Sequence, residues 1–424
     1  MGILVEIGSF IKLQRTKKEM TQGELAKGIV SLSYLSKIEN KKTDASPEII
    51  QLLCTRLGIQ LKDGFDASIQ EKCKQWYNML FEVNDKEEII TTYNELQEIM
   101  DTNLTDSLLM FEIHKIRYYL ILGKLDKALV KINELNEMAD SFDNLHKYYW
   151  YKFRGNYNSA SGFFSQAMQL YKLAEEKSNR IDIEVKEIAD LQYTIAITHS
   201  KLRNTLEVIE YAEKALDIYM KEYNFFRCAQ SHIVLGISYR RIKMYEKAIK
   251  NYNLARHLGE LNKDKQIIQL TNLNLGYLSS AKGDSKDAIH YYLQVVDDPE
   301  VEQNARLTSL TALIKEYYSI NEIERTKEMI KKGFELIGTK DVEKHKVHYY
   351  VLNTYSYAIN EQNNQFEKIV INELIPYLTN HKDYANIVVY ANMLGNHFEE
   401  LGKYKESVKY YKLANLTYEE LVNL

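Results

Sequence analysis

Proline and cysteine are scarce in this chain, and each scarcity rules something out. Three prolines and 17 glycines in 424 residues leave few places where a helix must stop, so long helices are expected. Cys54, Cys73 and Cys228 are the whole cysteine complement. An odd number without metal-ligand spacing argues against a disulfide framework or a zinc site. It predicts three small buried apolar residues in a reducing, cytoplasmic setting. No uninterrupted run of 18 apolar residues occurs, and Lys12 and Arg15 interrupt the N-terminal apolar pattern, so neither membrane insertion nor secretion is expected. The ten histidines are scattered, with His345 and His348 the only close pair. There is no HExxH, no glycine-rich phosphate loop and no GxSxG. The expectation is a protein that is not an enzyme and holds neither cofactor nor metal.

What is present divides unevenly. The net charge is −4, but residues 1–62 carry ten Lys/Arg against six Asp/Glu, which leaves −8 on the remainder. A small basic head on an acidic body suits a polyanion partner held at one end. In the head, Ile7, Phe10, Ile11 and Leu13 mark a first helix ending near Lys17 and Lys18. Thr21-Gln22-Gly23-Glu24 is a capping box, and Leu25 with Ala26 supplies the buried face of the second helix. Gly28-Ile29-Val30 makes the turn, and Ser31 caps a third helix through Tyr34, Leu35, Lys37 and Ile38 to Glu39. Ser46, Pro47 and Gly58 frame a fourth. A second helix, a short turn and a third helix is the geometry that lays one helix in the major groove of double-stranded DNA. Leu35 and Ile38 face inward, which directs Leu32, Ser33, Ser36 and Lys37 towards bases or phosphates. Gln22 sits where its amide meets a phosphate or a base edge, and Arg15, Lys41 and Lys42 are expected backbone contacts.

The segment TQGELAKGIVSLSYLSKIEN resembles the DNA-binding domain of the phage-repressor-like, Xre-type regulators over about 55 residues. One departure is Asn40-Lys41, where that family usually has glycine after the recognition helix; Asn tolerates the left-handed conformation a helix end requires. Gly23 inside the second helix is also unusual and weakens it by ~1 kcal/mol relative to Ala.

From residue 69 to 424 one element recurs: a helix, a tight turn, and a second helix with a small residue and an aromatic at fixed offsets. LGISYRRIKMYEKAIKNYNLA (Leu235–Ala255), LGNHFEELGKYKESVKYYKLA (Leu394–Ala414) and LGYLSSAKGDSKDAIHYYLQV (Leu275–Val295) are the clear copies. Their turns fall at Lys243, Gly402 and Gly283. Weaker copies turn near Asn84, Gly123, Gly155, Arg203, Asn321 and Gln362, so that turns recur near every 40 residues with one gap of 48. Ala128, Ala160, Ala248 and Ala288 lie five after a turn, where only a small side chain lets two helices approach. Tyr252, Tyr292 and Tyr411 lie nine after and fill the groove between neighbours. The pattern resembles tetratricopeptide repeats, whose pairs cannot bury their apolar stripes alone and therefore stack. The expected fold is all-α: a helix-turn-helix domain (1–62), a joint (63–68) and a right-handed superhelix of about nine helix pairs (69–424).

In such a superhelix the first helix of each pair lines the concave wall. The turn positions nominate Asn78, His114, Arg117, Arg240, Asn274, Tyr277, Lys315, Asn353, Asn392 and Asn396. A carboxamide both donates and accepts, so it can bridge the backbone of an extended peptide whatever its side chains. Asn274 in TNLNLGY and Asn353 in VLNTYSY are placed at the same repeat position, two before the small-residue site. Arg117 and Arg240 suit a terminal carboxylate or an acidic side chain.

A repressor-type head on about nine such pairs is similar, over essentially the whole chain, to the peptide-pheromone-responsive regulators of the Rgg/Rap/NprR/PlcR/PrgX group, and most like the NprR-type members. The resemblance implies that a short signalling peptide binds the concave face and changes a homodimer or higher homo-oligomer. It also implies a second possible role, in which the repeat domain acts as a protein-binding scaffold and sequesters a response regulator of the sporulation phosphorelay. On that reading the segment from Gly58 to Ser68 acts as the joint between head and body.

Overall fold

The computed structural model describes residues 7–40, 42–59, 67–82, 85–102, 105, 107–338 and 341–423. Every regular element among them is helical. They fall into two compact units, one up to Leu191 and one from Gln192. The expected Lys41, the turn near Asn84 and most of the 63–68 joint lie outside the described residues.

The head consists of α1 (Ile7–Lys17), α2 (Gln22–Ala26), α3 (Leu32–Glu39) and α4 (Pro47–Arg56). Side-chain caps set the starts of α2 and α3, and Pro47 opens α4. Thr21 and Glu24 form the full capping box, with the Glu24 amide donating to Thr21 Oγ1 at 3.2 Å and the Thr21 amide donating to Glu24 Oε2 at 2.7 Å. Ser31 Oγ accepts from the Tyr34 amide at 3.2 Å. Gly28 turns the chain at φ 73°, a conformation that costs glycine nothing. Asn40 ends α3 without entering the left-handed region (φ −97°); its side-chain amide donates to Ser36 O at 2.8 Å instead. Leu25, Ala26, Leu35, Ile38, Leu53 and Cys54 close the core.

Nine helix pairs follow among the described residues: α5 (Ala67–Glu82) with α6 (Lys86–Thr102), α7 (Leu108–Ile121) with α8 (Leu125–Asn136), α9 (Asn144–Ala160) with α10 (Phe164–Ser178), α11 (Val185–Leu202) with α12 (Thr205–Lys221), α13 (Phe225–Arg241) with α14 (Tyr245–Leu261), α15 (Lys265–Lys282) with α16 (Ser285–Val296), α17 (Gln303–Ser319) with α18 (Ile323–Ile337), α19 (Lys346–Ile359) with α20 (Asn363–Ile369), and α22 (Tyr384–Glu400) with α23 (Tyr404–Asn423). Helix α20 continues through one π-helical turn (Val370–Leu374) into α21 (Ile375–Asn380), where Pro376 brings no N–H to the ladder. Within each unit successive first helices touch, α5 with α7, α7 with α9, α13 with α15 and α15 with α17. That is the stacking a repeat array needs to bury its stripes.

The turns inside pairs two to nine centre on left-handed residues at Gly123, Gly162, Arg203, Lys243, Gly283, Asn321, Glu361 and Gly402. This regular ladder corrects the expected turn near Gly155 and abolishes the gap of 48. Gly155 is buried inside α9, where an added Cβ would lie 2.4 Å from the Tyr171 ring. The small residue five after the true turn is Ala167, fully buried, whereas Ala160 is exposed. The same fit joins Gly236 to Tyr252, Gly276 to Tyr292 and Gly395 to Tyr411. Sixteen residues separate the two members each time, so the missing Cβ of one helix admits the ring of the next. Ala128, Ala248 and Ala288 are fully buried as expected. Cys54 and Cys228 are buried, but Cys73 is only half-buried, because it edges a cavity of the first unit.

The head is not a free bead before the body. One apolar core runs from Ile7 and Phe10 through Trp76 and Phe111 to Phe153. Beside it, Gln14 Nε2 donates to Met100 O at 3.0 Å, and Lys17 Nζ reaches Glu112 at 2.5 Å and Asp101 at 3.7 Å.

Candidate functional site

The reading face of the head is α3. Leu32 (57% exposed), Ser33 and Lys37 stand free on it, Ser36 is half-buried, and Lys42 is exposed just beyond. Two expected contacts have internal tasks. Arg15 makes a two-pronged pair with buried Glu39 (Nε to Oε1 2.7 Å, Nη2 to Oε2 3.0 Å), and its Nη1 donates to Met20 O at 2.8 Å. Such a guanidinium is committed to holding α1 on α3 and is not available to a phosphate. Gln22 Nε2 donates to the same carboxylate at 2.6 Å, which fixes the start of α2 against the end of α3.

The ten expected wall residues separate into three groups. Asn78 and His114 border a cavity of about 530 Å³ in the first unit, among α5, α7, α9 and residues 182–187. Side chains of residues 184–187 cross part of that wall. Lys186 Nζ donates to Asn78 Oδ1 at 3.0 Å, Tyr77 donates from its hydroxyl to Glu187 Oε1 at 2.6 Å, and Lys74 meets Glu184 at 3.4 Å. His114 stacks on Tyr77 with ring centres 4.0 Å apart. Burial, helped by His146 and Lys152, pushes it down to about 3, so it is neutral. Lys152 bridges Glu187 (2.6 Å) and Asp190 (2.9 Å) at the base. Arg117 is half-buried and does not border this cavity.

Arg240, Tyr277 and Lys315 converge in the second unit. They line a cavity of about 620 Å³ built mainly from the first helices α13, α15, α17, α19 and α22. Helix α17 offers it Asn304, Thr308, Thr311 and Lys315, and α22 offers Asn386 and Tyr390 after Asp383. Lys315 is half-buried, donates to Asn386 Oδ1 at 2.8 Å, and has its Nζ 5.2 Å from the centre of the Tyr390 ring. Burial pushes it down to about 8 against the pull of Asp383. The Asn386 amide in turn donates to Asp383 Oδ2 at 2.7 Å, and Asp383 Oδ1 caps α22 by accepting from the Asn386 backbone at 3.3 Å. Arg240 lies over Tyr277 at 5.8 Å, and its buried Nε makes no hydrogen bond. His348, pushed down to about 4 by burial and by the nearby His345 and Lys315, is a neutral wall group.

The remaining asparagines stand apart. Counted back from Gly283 and Glu361, Asn274 is nine before its turn and Asn353 eight, so their expected equivalence fails by one residue. Both are nearly buried, and each Nδ2 donates to a carbonyl of its own helix, Leu270 O and Tyr349 O, at 2.8 Å. Asn392 and Asn396 are exposed, and Asn396 accepts the Tyr411 hydroxyl at 2.7 Å. Sequence reasoning missed Asp383, Asn386, Asn304 and Thr308. The polar spacing 304, 308, 311, 315 on one helical face was the legible signal.

A helix-turn-helix reader joined to stacked helix pairs, with a cavity that mixes charged, amide and aromatic side chains, defines a class of ligand-responsive regulators. The family model described as "Helix-turn-helix" matches residues 11–63. The transcriptional activator NprA of Geobacillus stearothermophilus is 33% identical over 408 residues, covering 94% of this chain and all of NprA. The chain therefore belongs to the NprA/NprR-type family of transcriptional regulators. Among solved structures, the apo quorum sensor NprR from B. thuringiensis aligns with a TM-score of 0.69 at 20% identity, over 82% of this chain and 98% of that one. NprR in complex with its cognate peptide NprX aligns at 0.61 and 21%, over 85% and 100%. These likenesses establish the shared fold of paired helices behind the head.

Proposed function

We propose that the chain is a peptide-responsive transcriptional regulator acting in the cytoplasm. The head holds operator DNA by the exposed face of α3, through Leu32, Ser33, Ser36 and Lys37, with Lys42 and the neighbouring Lys41 on the backbone. A short signalling peptide lies in the second-unit cavity against Arg240, Tyr277 and Lys315. The relation to a transcriptional activator and the likeness to NprR bearing NprX support this reading. The observation that carries it is the convergence of Arg240, Tyr277, Lys315 and Asn386 on one cavity of about 620 Å³ in the second unit, whereas at the first unit's cavity of about 530 Å³ Asn78 is tied to Lys186 and Tyr77 to Glu187. Peptide binding shifts the oligomer only as far as its affinities for the two states differ. Among the described residues no helix is long and apolar enough to cross a membrane. The test is to isolate the full chain from cells and identify co-purifying peptides by mass spectrometry, with a gel shift on genomic fragments alongside. Recovery of a discrete short peptide that alters the shift is expected; retention of a protein partner alone defeats the peptide reading.

A further inference from the structure

The charges in the second-unit cavity are not evenly satisfied, and the imbalance indicates what its ligand brings. Two cations line it, Arg240 and Lys315, and two carboxylates, Glu316 and Asp383. Both carboxylates are already engaged. The Ser280 hydroxyl donates to Glu316, and Asp383 accepts from both the backbone and the side chain of Asn386. The cations are served by neutral partners. Arg240 meets the Tyr252 hydroxyl, with no well-formed acceptor at its buried Nε, and Lys315 makes one hydrogen bond, to a neutral amide. Arg203 and Arg241 add positive charge near Arg240 and are repelled by it, though Arg203 is also drawn to Asp383. The unmet requirement is for an acceptor that carries negative charge, since a buried donor without a partner is costly.

We infer, resting on the peptide reading above, that the anchoring group of the ligand is a carboxylate held between Arg240 and Lys315 beside Tyr277 and Tyr390. Lys315 feels the charge of Asp383 without a hydrogen bond to it, and the incoming group competes with that longer-range attraction. A carboxylate accepts two parallel bonds from a guanidinium, a geometry a neutral amide cannot match in charge. An acidic side chain and a free peptide C-terminus share this chemistry.

The experiment uses the full chain and four equimolar random heptapeptide libraries. One is unmodified, one is C-terminally amidated, one lacks Asp and Glu, and one is both amidated and free of Asp and Glu. Affinity selection with mass spectrometry reads the retained peptides. The fourth library is expected to be retained about tenfold less than the first. The second and third arms tell a C-terminal carboxylate from a side-chain one. Arg240→Gln and Lys315→Met should erase the preference, Arg240→Lys should restore part of it, and Asp383→Asn should raise retention of acidic peptides at least threefold. Equal retention of the first and fourth libraries overturns the carboxylate inference and leaves the peptide reading standing. No retention of any library overturns both.

Discussion

At the scale of single residues, the decisive groups are buried charges rather than surface ones. Glu112 is fully buried and touches Lys17, Lys115 and Lys131 at 2.5, 3.1 and 2.8 Å. Burial opposes its ionisation, but the three lysines outweigh burial and hold it well below the usual carboxylate range. Glu112→Gln leaves buried Lys115 without a carboxylate and Lys17 and Lys131 with only Asp101 and Glu134, so the first unit should lose about 3 kcal/mol at neutral pH, measured by urea unfolding. The sign with pH follows from proton binding. A carboxyl depressed in the folded chain is protonated first in the unfolded chain, so its stabilisation is complete above about pH 5 and is lost as pH falls. Glu112→Gln should therefore flatten the acid limb of the stability profile; an unchanged limb removes Glu112 from the account. In the head, Arg15→Gln should lower the melting temperature by exposing Glu39 to burial with only Gln22 beside it. Lys37→Gln should leave melting unchanged and reduce the slope of log affinity against log salt by about one. Fluorescence anisotropy on an operator fragment separates the two.

At the scale of elements, the glycine-to-tyrosine fit explains why helix pairs approach so closely. In Gly236→Ala the new Cβ would stand 2.4 Å from Tyr252 Cε1, and the ring is fully buried with no room to retreat. A cost of about 1–3 kcal/mol is expected, visible as a lower thermal midpoint and relieved by a second change, Tyr252→Leu. Failure of that second change to relieve it would show that the clash is not what binds the pair. The same elements show what was legible beforehand. Helices α2, α3 and α4 began where Thr21, Ser31 and Pro47 were expected to place them, because capping is local chemistry. Gly155 was misread because glycine serves two ends, a left-handed turn and a close helix contact, and only the position of Tyr171 tells which.

At the scale of the whole molecule, the proposed function makes assembly the link between a bound ligand and DNA. Helix α23 presents Tyr404, Val408 and Tyr418 on one face, 68, 50 and 52% exposed, an apolar stripe that favours association with a second copy. Tyr404→Lys with Val408→Lys should convert the oligomer to a smaller species in sedimentation velocity while the helical signal stays constant. If the sedimentation coefficient does not change, the contact lies elsewhere. Loss of the oligomer should also weaken operator binding, since a single head makes few phosphate contacts.

The chain's own order of residues determined its helices, its repeat and its basic reader, because caps, periodicity and charge act over distances of a few residues. Which wall residues meet, and in which cavity, was decided only in three dimensions. Lys186 reaching Asn78 spans 108 positions and Lys315 reaching Asn386 spans 71, and no local pattern records partners so far apart. Arg15 shows the same divide: its charge could be read from sequence, but its partner Glu39, and hence its task, emerged only once α1 lay across α3.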